Sequence, residues 1–308
     1  MTKPRRQLAG QVSLLTRRCF HRTFFLRPDT HINQVMPYEM GRAANRHGQV
    51  IHGAVVMSNH IHQVSLDDTG DRSCYMRDFM REVSRARNHH LGREDSLWDS
   101  RPYGDAVLLD RDAIEEKLLY TWLNPVAAGL VERVEDWPGF KILPKHWGKP
   151  LSIDRPVGYY SENSPETVEF TPMPPPGFDD MSLEEVRKYF EDKIRMRDEE
   201  IYNQRDGGKV LGRTKICLTE PTATPKSPSS GGKLNPRFAS KNGARLQLAK
   251  ELHYQFQNSY QRQRLKWMKG EKAVFPCGTV QLKRCAPIRC KPPDEQEPGL
   301  FKITRQIG

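Results

Sequence analysis

The sequence predicts an α+β fold in which an antiparallel sheet is packed by helices. Strand-like and helix-like segments alternate through the first 150 residues. Two apolar segments, 50–57 and 60–66, are separated only by Ser58 and Asn59, which is the spacing of a β-hairpin. Hairpin partners are antiparallel, and their apolar faces need helices to cover them.

The first elements follow from apolar spacing. Residues 11–20 predict a strand, with apolar side chains among arginines. Residues 31–47 predict a helix that ends at Gly48, although Pro37 interrupts it. Residues 50–57 and 60–66 predict the two strands of the hairpin.

Two further helices and a strand complete this unit. Residues 74–91 predict a helix with one apolar face and one arginine-rich face. A strand or strand pair follows at 97–109, and Asp110 is a natural N-cap for a third helix that stops at Asn124-Pro125. The order of elements is close to a ferredoxin-like layout, and we expect this unit to span residues 10–150.

Composition changes after residue 150. We expect residues 151–232 to form a linker that carries a charged helix at 182–205, opened by a capping box at Ser182 and Glu185. Residues 171–177 and 221–232 are rich in proline and small residues, and predict extended or flexible chain. Residues 233–308 predict a basic, mostly helical extension, with a helix at 244–269 and a small hairpin near 275–282.

The positive charge is concentrated in that extension. The chain carries a net charge of +11, and residues 225–308 hold 17 Lys and Arg against 5 Asp and Glu. A basic surface of this kind favours phosphate backbones, although solvated charge on a polar tail is the alternative. The candidate DNA-binding residues are Arg17, Arg18, Arg22, Arg81, Arg85, Arg262, Arg264 and Lys266. Aromatic residues interleave with the last three, so the helix at 244–269 either stacks bases or buries an aromatic stripe under the first unit.

Several classes of protein are disfavoured. No apolar run approaches the ~20 residues of a membrane span, and no apolar core of a signal peptide follows the basic N-terminus. We expect a cytoplasmic, nucleoid-associated protein with reduced cysteines. The spacing of Cys277, Cys285 and Cys290 matches no standard zinc motif.

His60 and His62 are candidate metal ligands. If residues 60–64 form a strand, both imidazoles point to one face and can grip one divalent ion. The alternative is a pair of half-buried or surface histidines.

Tyr120 and Asn124 can complete such a site. Four residues apart on a helix, they share a face. Two imidazoles and an amide oxygen would leave the ion its full charge to polarise a phosphoryl oxygen, and Tyr120 could attack a phosphodiester. The alternatives are a core tyrosine and a proline that ends the helix.

Two motifs resemble one known family. Residues 56–62 read VMSNHIH and are similar to the "MxNHxH" signature of the single-tyrosine HUH transposases of insertion sequences. Residues 120–131 read YTWLNPVAAGLV and are similar to their "YxxxNPVxAGLV" segment. The likeness is strongest to the REP-associated tyrosine transposase branch and covers about residues 10–150. Gln63, where an apolar residue is usual, and Ser58, where proline is common, depart from the pattern.

The resemblance implies a ferredoxin-like HUH nuclease domain that acts on single-stranded DNA, often beside hairpins. It implies His60, His62 and Asn124 as ligands of Mg²⁺ or Mn²⁺, and Tyr120 as the nucleophile that forms a 5′-phosphotyrosine. Relatives act as monomers or homodimers. Two alternatives stay open: a domesticated protein that binds structured DNA without cutting it, and an unrelated metallohydrolase that uses water.

Overall fold

A six-stranded sheet is the centre of the fold. The computed structural model describes residues 4–205, 208–226, 236–292 and 297–301. The strands of all its sheets are β1 (Gln11–Arg18), β2 (Gln49–Met57), β3 (His60–Asp67), β4 (Gly104–Leu108), β5 (Lys141–Ile142), β6 (Leu151–Asp154), β7 (Thr167–Phe170), β8 (Phe238–Ala239), β9 (Val274–Phe275) and β10 (Arg289–Cys290). The helices are α1 (Thr30–His47), α2 (Arg72–His90), α3 (Arg111–Ala127), α4 (Leu183–Gln204), α5 (Arg213–Leu218), α6 (Gly243–Met268) and α7 (Val280–Cys285).

The strand order of the central sheet is β5-β2-β3-β1-β4-β8. The strands from β5 to β4 pair antiparallel with their neighbours, and the short edge strand β8 runs parallel to β4. The predicted class, a mainly antiparallel sheet packed by helices, is therefore confirmed. The hairpin between β2 and β3 turns at Ser58 and Asn59 as expected.

Each face of the sheet has its own hydrophobic core. Helices α1 and α2 pack on one face, with residues such as Val35 and Phe79 fully buried against the strands. Helices α3 and α4 lie over the other face, where Trp122, Trp147 and Phe190 form an aromatic cluster with ring centroids 5.4 to 6.0 Å apart. The candidate site lies on this second face of the sheet, at the β2–β3 hairpin.

The third helix is longer than predicted. It continues through Pro125 to Ala127, whereas the proline was expected to stop it. A proline costs the helix one backbone hydrogen bond, but the Ala128 amide still donates to the Asn124 carbonyl, and the left-handed Gly129 follows. The predicted strand at 97–109 is shorter than expected, because only residues 104–108 pair as β4.

The segment after residue 150 contains more structure than expected. A hairpin of β6 and β7, which was not predicted, packs on α1. The capping box of α4 at Ser182 and Glu185 is present, as predicted. The hydrophobic core of the α3 face includes Phe178, Phe190 and Ile216, so packing crosses residue 150. The domain boundaries themselves stay a prediction, and residues 227–232 of the expected flexible segment lie outside the described residues.

The basic extension is mostly helical where it is described. Helix α6 matches its prediction, and buries Ala249, His253 and Phe256 while Tyr254 and Trp267 are exposed. The predicted hairpin near 275–282 is wrong: residues 280–285 form α7, and β9 pairs in parallel with β10. No helix in the described ranges is both long enough and apolar enough to cross a membrane.

Candidate active site

The β2–β3 hairpin fixes His60 and His62 on one face. His60 pairs with Arg18 of β1, and His62 pairs with Thr16. Val64 follows on the same face and enters the core under α3. Ile61 points the other way. The two imidazole centroids are 4.8 Å apart, closer than the ~6.6 Å between alternate residues along a strand, so the two rings lean toward each other.

Helix α3 brings Tyr120 and Asn124 to the two histidines. The Tyr120 ring lies 5.2 Å from the His62 ring, and Asn124 Nδ2 lies 3.4 Å from His62 Nε2. The Tyr120 side chain remains 50% exposed, so its hydroxyl is open to a ligand. All four residues singled out in the sequence therefore converge on one point, although their chemical roles stay predictions.

A close approach between α3 and β2 sets this geometry. A Cβ at Gly53 would lie 2.7 Å from Leu118 Cδ2 and 2.9 Å from Trp122 Nε1. Only a glycine leaves room for these two side chains to pack directly on the strand backbone. Trp122 also donates to the Ile142 carbonyl at 2.7 Å. The helix is thereby held against the hairpin, two residues beyond Tyr120.

Asn59 orients the first imidazole. Its Oδ1 lies 2.7 Å from His60 Nδ1, and its Nδ2 donates to the Arg22 carbonyl at 3.0 Å. With the amide so placed, His60 Nδ1 carries the proton that it donates to Asn59. The lone pair is then on Nε2. An outer hydrogen bond of this kind is typical of metal-binding histidines.

Both imidazoles are neutral at physiological pH. Burial, reinforced by the positive charge of Arg18, lowers the pKa of His60 to about 4, and hydrogen bonding to Asn124 opposes this shift. Burial beside His60 lowers the pKa of His62 well below its ordinary value. Neutral imidazoles keep the lone pairs that a cation needs.

The residues present fit a divalent ion. Nε2 of His62 lies 3.4 Å from Asn124 Nδ2, so Asn124 is placed to offer its oxygen to an ion on that side of the ring if the amide turns over. Within the described ranges, no three His, Cys, Asp or Glu side chains are grouped to hold a metal. Two nitrogens and one oxygen suit Mn²⁺ and related ions more than Mg²⁺, which prefers oxygen.

Charged side chains of both signs lie near the phenol. Lys117, one turn before Tyr120, places Nζ 5.9 Å from the centre of the Tyr120 ring and pairs with Glu116 at 2.6 Å. A surface cavity of about 250 Å³ beside Tyr120 is lined by Arg197 and Lys241, together with acidic residues of α3. A larger cavity of about 760 Å³ lies along α4, and none of the four site residues lines it.

The candidate DNA-binding arginines of the first unit are placed differently from one another. Arg18 is exposed. It lies on the same face of the sheet as His60, because directly paired residues share a face. Arg17 points to the opposite face, where it donates to the carbonyl of Asp99 at 2.9 Å and to that of Arg101. The Arg22 carbonyl accepts from Asn59 at the edge of the site.

The remaining basic candidates do not join this site. Arg81 and Arg85 lie on α2, across the sheet, and both pair with Glu82. Arg262, Arg264 and Lys266 lie on α6, which packs beside β8 and β9. A contact between these residues and DNA at the site would require DNA that extends around the protein.

Asn59 and Lys117 were missed as functional residues. Asn59 stands inside the motif at 56–62, but its hydrogen bonds to the adjacent His60 ring and to the Arg22 carbonyl in the loop after β1 depend on the fold. Lys117 is three residues before Tyr120, so helical spacing alone could have placed it on the same face.

This chain has a structural likeness to a known protein. No family model matches the chain, and no curated protein matches it. A solved structure described as a REP-associated tyrosine transposase bound to a REP hairpin is similar to this chain, at 22% identity and a TM-score of 0.39. The similarity covers 47% of this chain and 85% of that one. A TM-score below 0.5 is too low to establish a shared fold. The function must therefore be argued from the residues of this chain.

Proposed function

We propose that this protein is a transposase-like, divalent-metal-dependent endonuclease and strand transferase that acts on single-stranded DNA at hairpins or palindromes. The observation that carries the proposal is the convergence of His60, His62, Tyr120 and Asn124 at one point, with Tyr120 exposed to solvent. The motif resemblance to single-tyrosine HUH transposases supports the same assignment. The strand order β4-β1-β3-β2 within a β-α-β-β-α-β sequence supports the ferredoxin-like layout.

Tyr120 is the proposed nucleophile. Its hydroxyl oxygen attacks the phosphorus of the scissile diester and loses its proton, and the bond from phosphorus to the 3′-oxygen breaks. The 3′-oxygen takes up a proton and leaves as a free hydroxyl, while the 5′-phosphate stays on Tyr120. One phosphodiester replaces another, so the strand can be rejoined by the reverse reaction with no external energy source.

The surrounding side chains position the phosphate. His60, His62 and Asn124 would hold the ion, Mg²⁺ or Mn²⁺. When bound, it would polarise a phosphoryl oxygen of the diester. Asn59 fixes the His60 ring. All four site residues belong to one chain, which supports a monomer as sufficient for the chemistry.

A labelled hairpin DNA with single-stranded flanks tests this function. We expect a covalent protein–DNA adduct on a denaturing gel with Mn²⁺, and its loss both in Tyr120→Phe and after chelation. Tyr202→Phe is the matched control, since that phenol is 58% exposed on α4 and lines a cavity that none of the four site residues reaches.

The same DNA distinguishes this proposal from the two alternatives, a non-cleaving DNA-binding protein and a hydrolase that uses water. Tight binding of the hairpin without cleavage in the presence of Mn²⁺ would favour a DNA-binding protein that no longer cuts. Metal-dependent cleavage that survives Tyr120→Phe would favour hydrolysis by water, and either result would overturn the nucleophilic role of Tyr120.

A further inference from the structure

An exposed aromatic pair lies beside the histidine hairpin. Phe20 leaves 38% of its surface open to solvent, and the neighbouring His21 is also exposed. Their ring centroids are 4.0 Å apart with the planes at 67°, so the His21 ring braces the Phe20 ring edge to face. An apolar ring at this position is not explained by the hydrophobic core.

The backbone under this pair is strained. His21 and Arg22 have φ values of 49° and 61°, and they are the only non-glycine residues with positive φ in the described part of the chain. Two consecutive side chains in the left-handed region cost free energy, and such strain persists where the surroundings impose it. Strain of this kind clusters at ligand-binding loops.

Hydrogen bonds fix this loop to the site. The Cys19 amide donates to the Asn59 carbonyl at 2.8 Å, and Asn59 Nδ2 donates to the Arg22 carbonyl at 3.0 Å. On the other side, the Phe20 amide donates to the Leu97 carbonyl at 2.9 Å. Because Asn59 also binds the His60 ring, one side chain joins the aromatic pair to a candidate metal ligand.

Positive charge lies alongside. Arg18, two residues before Phe20, is exposed and is paired directly with His60. A base-stacking ring next to a phosphate-binding cation is the usual combination in proteins that bind single-stranded nucleic acid. A protein partner would also accept an exposed phenylalanine, but it would not need the cation and the strand-cleaving site next to it.

We propose that Phe20, braced by His21, stacks on a nucleobase of single-stranded DNA next to the scissile phosphate. The position relative to the phosphate rests on the proposed function, whereas the stacking itself does not require cleavage. The ligand class is a single-stranded DNA base of any identity, because every base offers a flat aromatic face.

Fluorescence anisotropy with two DNA probes tests the stacking. One probe is a labelled oligothymidylate, and the other has the same length and backbone but abasic sites in place of its bases. We expect Phe20→Ala to weaken binding of the oligothymidylate by roughly 5- to 100-fold, as for loss of one base stack. Binding of the abasic probe should stay unchanged, and Phe20→Trp should retain wild-type affinity for both.

Two further variants guard against trivial effects. Phe20→Leu keeps apolar volume but lacks a ring face, so we expect it to lose oligothymidylate affinity as Phe20→Ala does. This variant tests the stacking even if the alanine variant folds poorly. Tyr202→Ala removes an aromatic side chain that is 58% exposed on α4, and it should not change either affinity. Unchanged oligothymidylate binding in Phe20→Leu, or an equal loss for both probes, would overturn the proposal.

The stacking role of Phe20 and the nuclease role of Tyr120 can fail independently. If the Tyr120 adduct forms but the Phe20 variants bind both probes normally, the stacking role falls and the nuclease stands. If no adduct forms but base-dependent binding is lost with Phe20, the stacking role stands and the nuclease proposal falls.

Discussion

At the scale of single residues, Asn59 controls which nitrogen of His60 is available. Its two hydrogen bonds connect the imidazole to the strained loop after β1. Without its Oδ1, the His60 ring could rotate and lose the tautomer that leaves Nε2 free. In the proposed site, Asn59 is therefore a positioning residue and not a ligand of the ion.

Replacement of Asn59 by alanine should weaken metal binding. We expect about a 10- to 100-fold loss of Mn²⁺ affinity, as for other outer partners of metal-binding histidines. Calorimetric titration of the full chain with Mn²⁺ measures it. Asn45→Ala is the control, because that exposed asparagine bonds the Glu169 carbonyl away from the site. Equal Mn²⁺ affinity in the two variants would show that Asn59 does not orient a ligand.

A second residue-scale prediction concerns Glu39, which is buried in α1. Burial raises the pKa of this carboxyl from 4.5 to about 7, and Arg42 only partly offsets the shift. A raised folded pKa means that the contribution of Glu39 to stability is complete below pH 4.5 and is lost as pH rises through about 7.

Replacement of Glu39 by glutamine should remove this pH dependence. We expect the wild type to lose up to about 3 kcal/mol more stability than Glu39→Gln between mildly acidic and mildly basic pH. Urea unfolding of both proteins at the two pH values measures the difference. Parallel stability curves would contradict the assignment.

At the scale of elements, the contact between α3 and β2 at Gly53 determines where Tyr120 stands relative to His62. The strand has a register irregularity between Ile51 and Gly53 at this point. A methyl group there would press on Leu118 and Trp122 and lift the helix. The site geometry therefore depends on the absence of one side chain.

Replacement of Gly53 by alanine should destabilise the fold and slow the chemistry. We expect a loss of about 1–3 kcal/mol from overpacking, with a slower appearance of the Tyr120 adduct. Gly243→Ala is the matched control, since a Cβ there meets nothing within 4 Å. That substitution at the start of α6 should be neutral or slightly stabilising. Similar unfolding midpoints for both variants would argue against a tight contact.

Element spacing made much of this arrangement predictable from the sequence. Apolar periodicity located β1 to β3 and the helices α1, α2 and α6, and a capping box located the start of α4. The spacing of four residues placed Tyr120 and Asn124 together. The two-residue strands were not predictable, because they lack a pattern and exist only through distant partners. The contacts of Asn59 and Phe20 were not predictable for the same reason, because their hydrogen-bond partners lie more than thirty residues away in the chain.

Local signals also misled in two places. Pro125 reads as a stop, yet α3 tolerates it because hydrogen bonding resumes at Ala128. Gln63, which departs from the apolar residue usual in the resembling family, is buried but accepts a hydrogen bond from Tyr75 at 2.7 Å and donates to Ser65. Its cost to the strand core is therefore offset by partners that only the fold reveals.

At the scale of the whole molecule, the chain beyond residue 150 supports helix α3. Phe190 of α4 is fully buried against Trp122 of α3 and against Trp147. Lys193 pairs with Glu115 at 3.2 Å on the same interface. The position of α3 over the histidines thus depends on residues that the sequence assigned to a linker.

Removal of the Phe190 ring should test this support. We expect Phe190→Ala to cost about 3–5 kcal/mol in unfolding free energy, with loss of near-ultraviolet circular dichroism from the tryptophans. Tyr202→Ala, on the same helix but exposed, should cost less than about 1 kcal/mol. A small effect of Phe190→Ala would mean that residues 10–150 hold α3 without α4.

The two outer strands of the central sheet have a consequence for self-association. β5 and β8, which flank it, are each only two residues long. Such short borders offer few unpaired amides and carbonyls to a neighbouring molecule. Two copies are therefore not expected to merge their sheets into one continuous ribbon, and any pairing of subunits would have to use helical or loop surfaces instead.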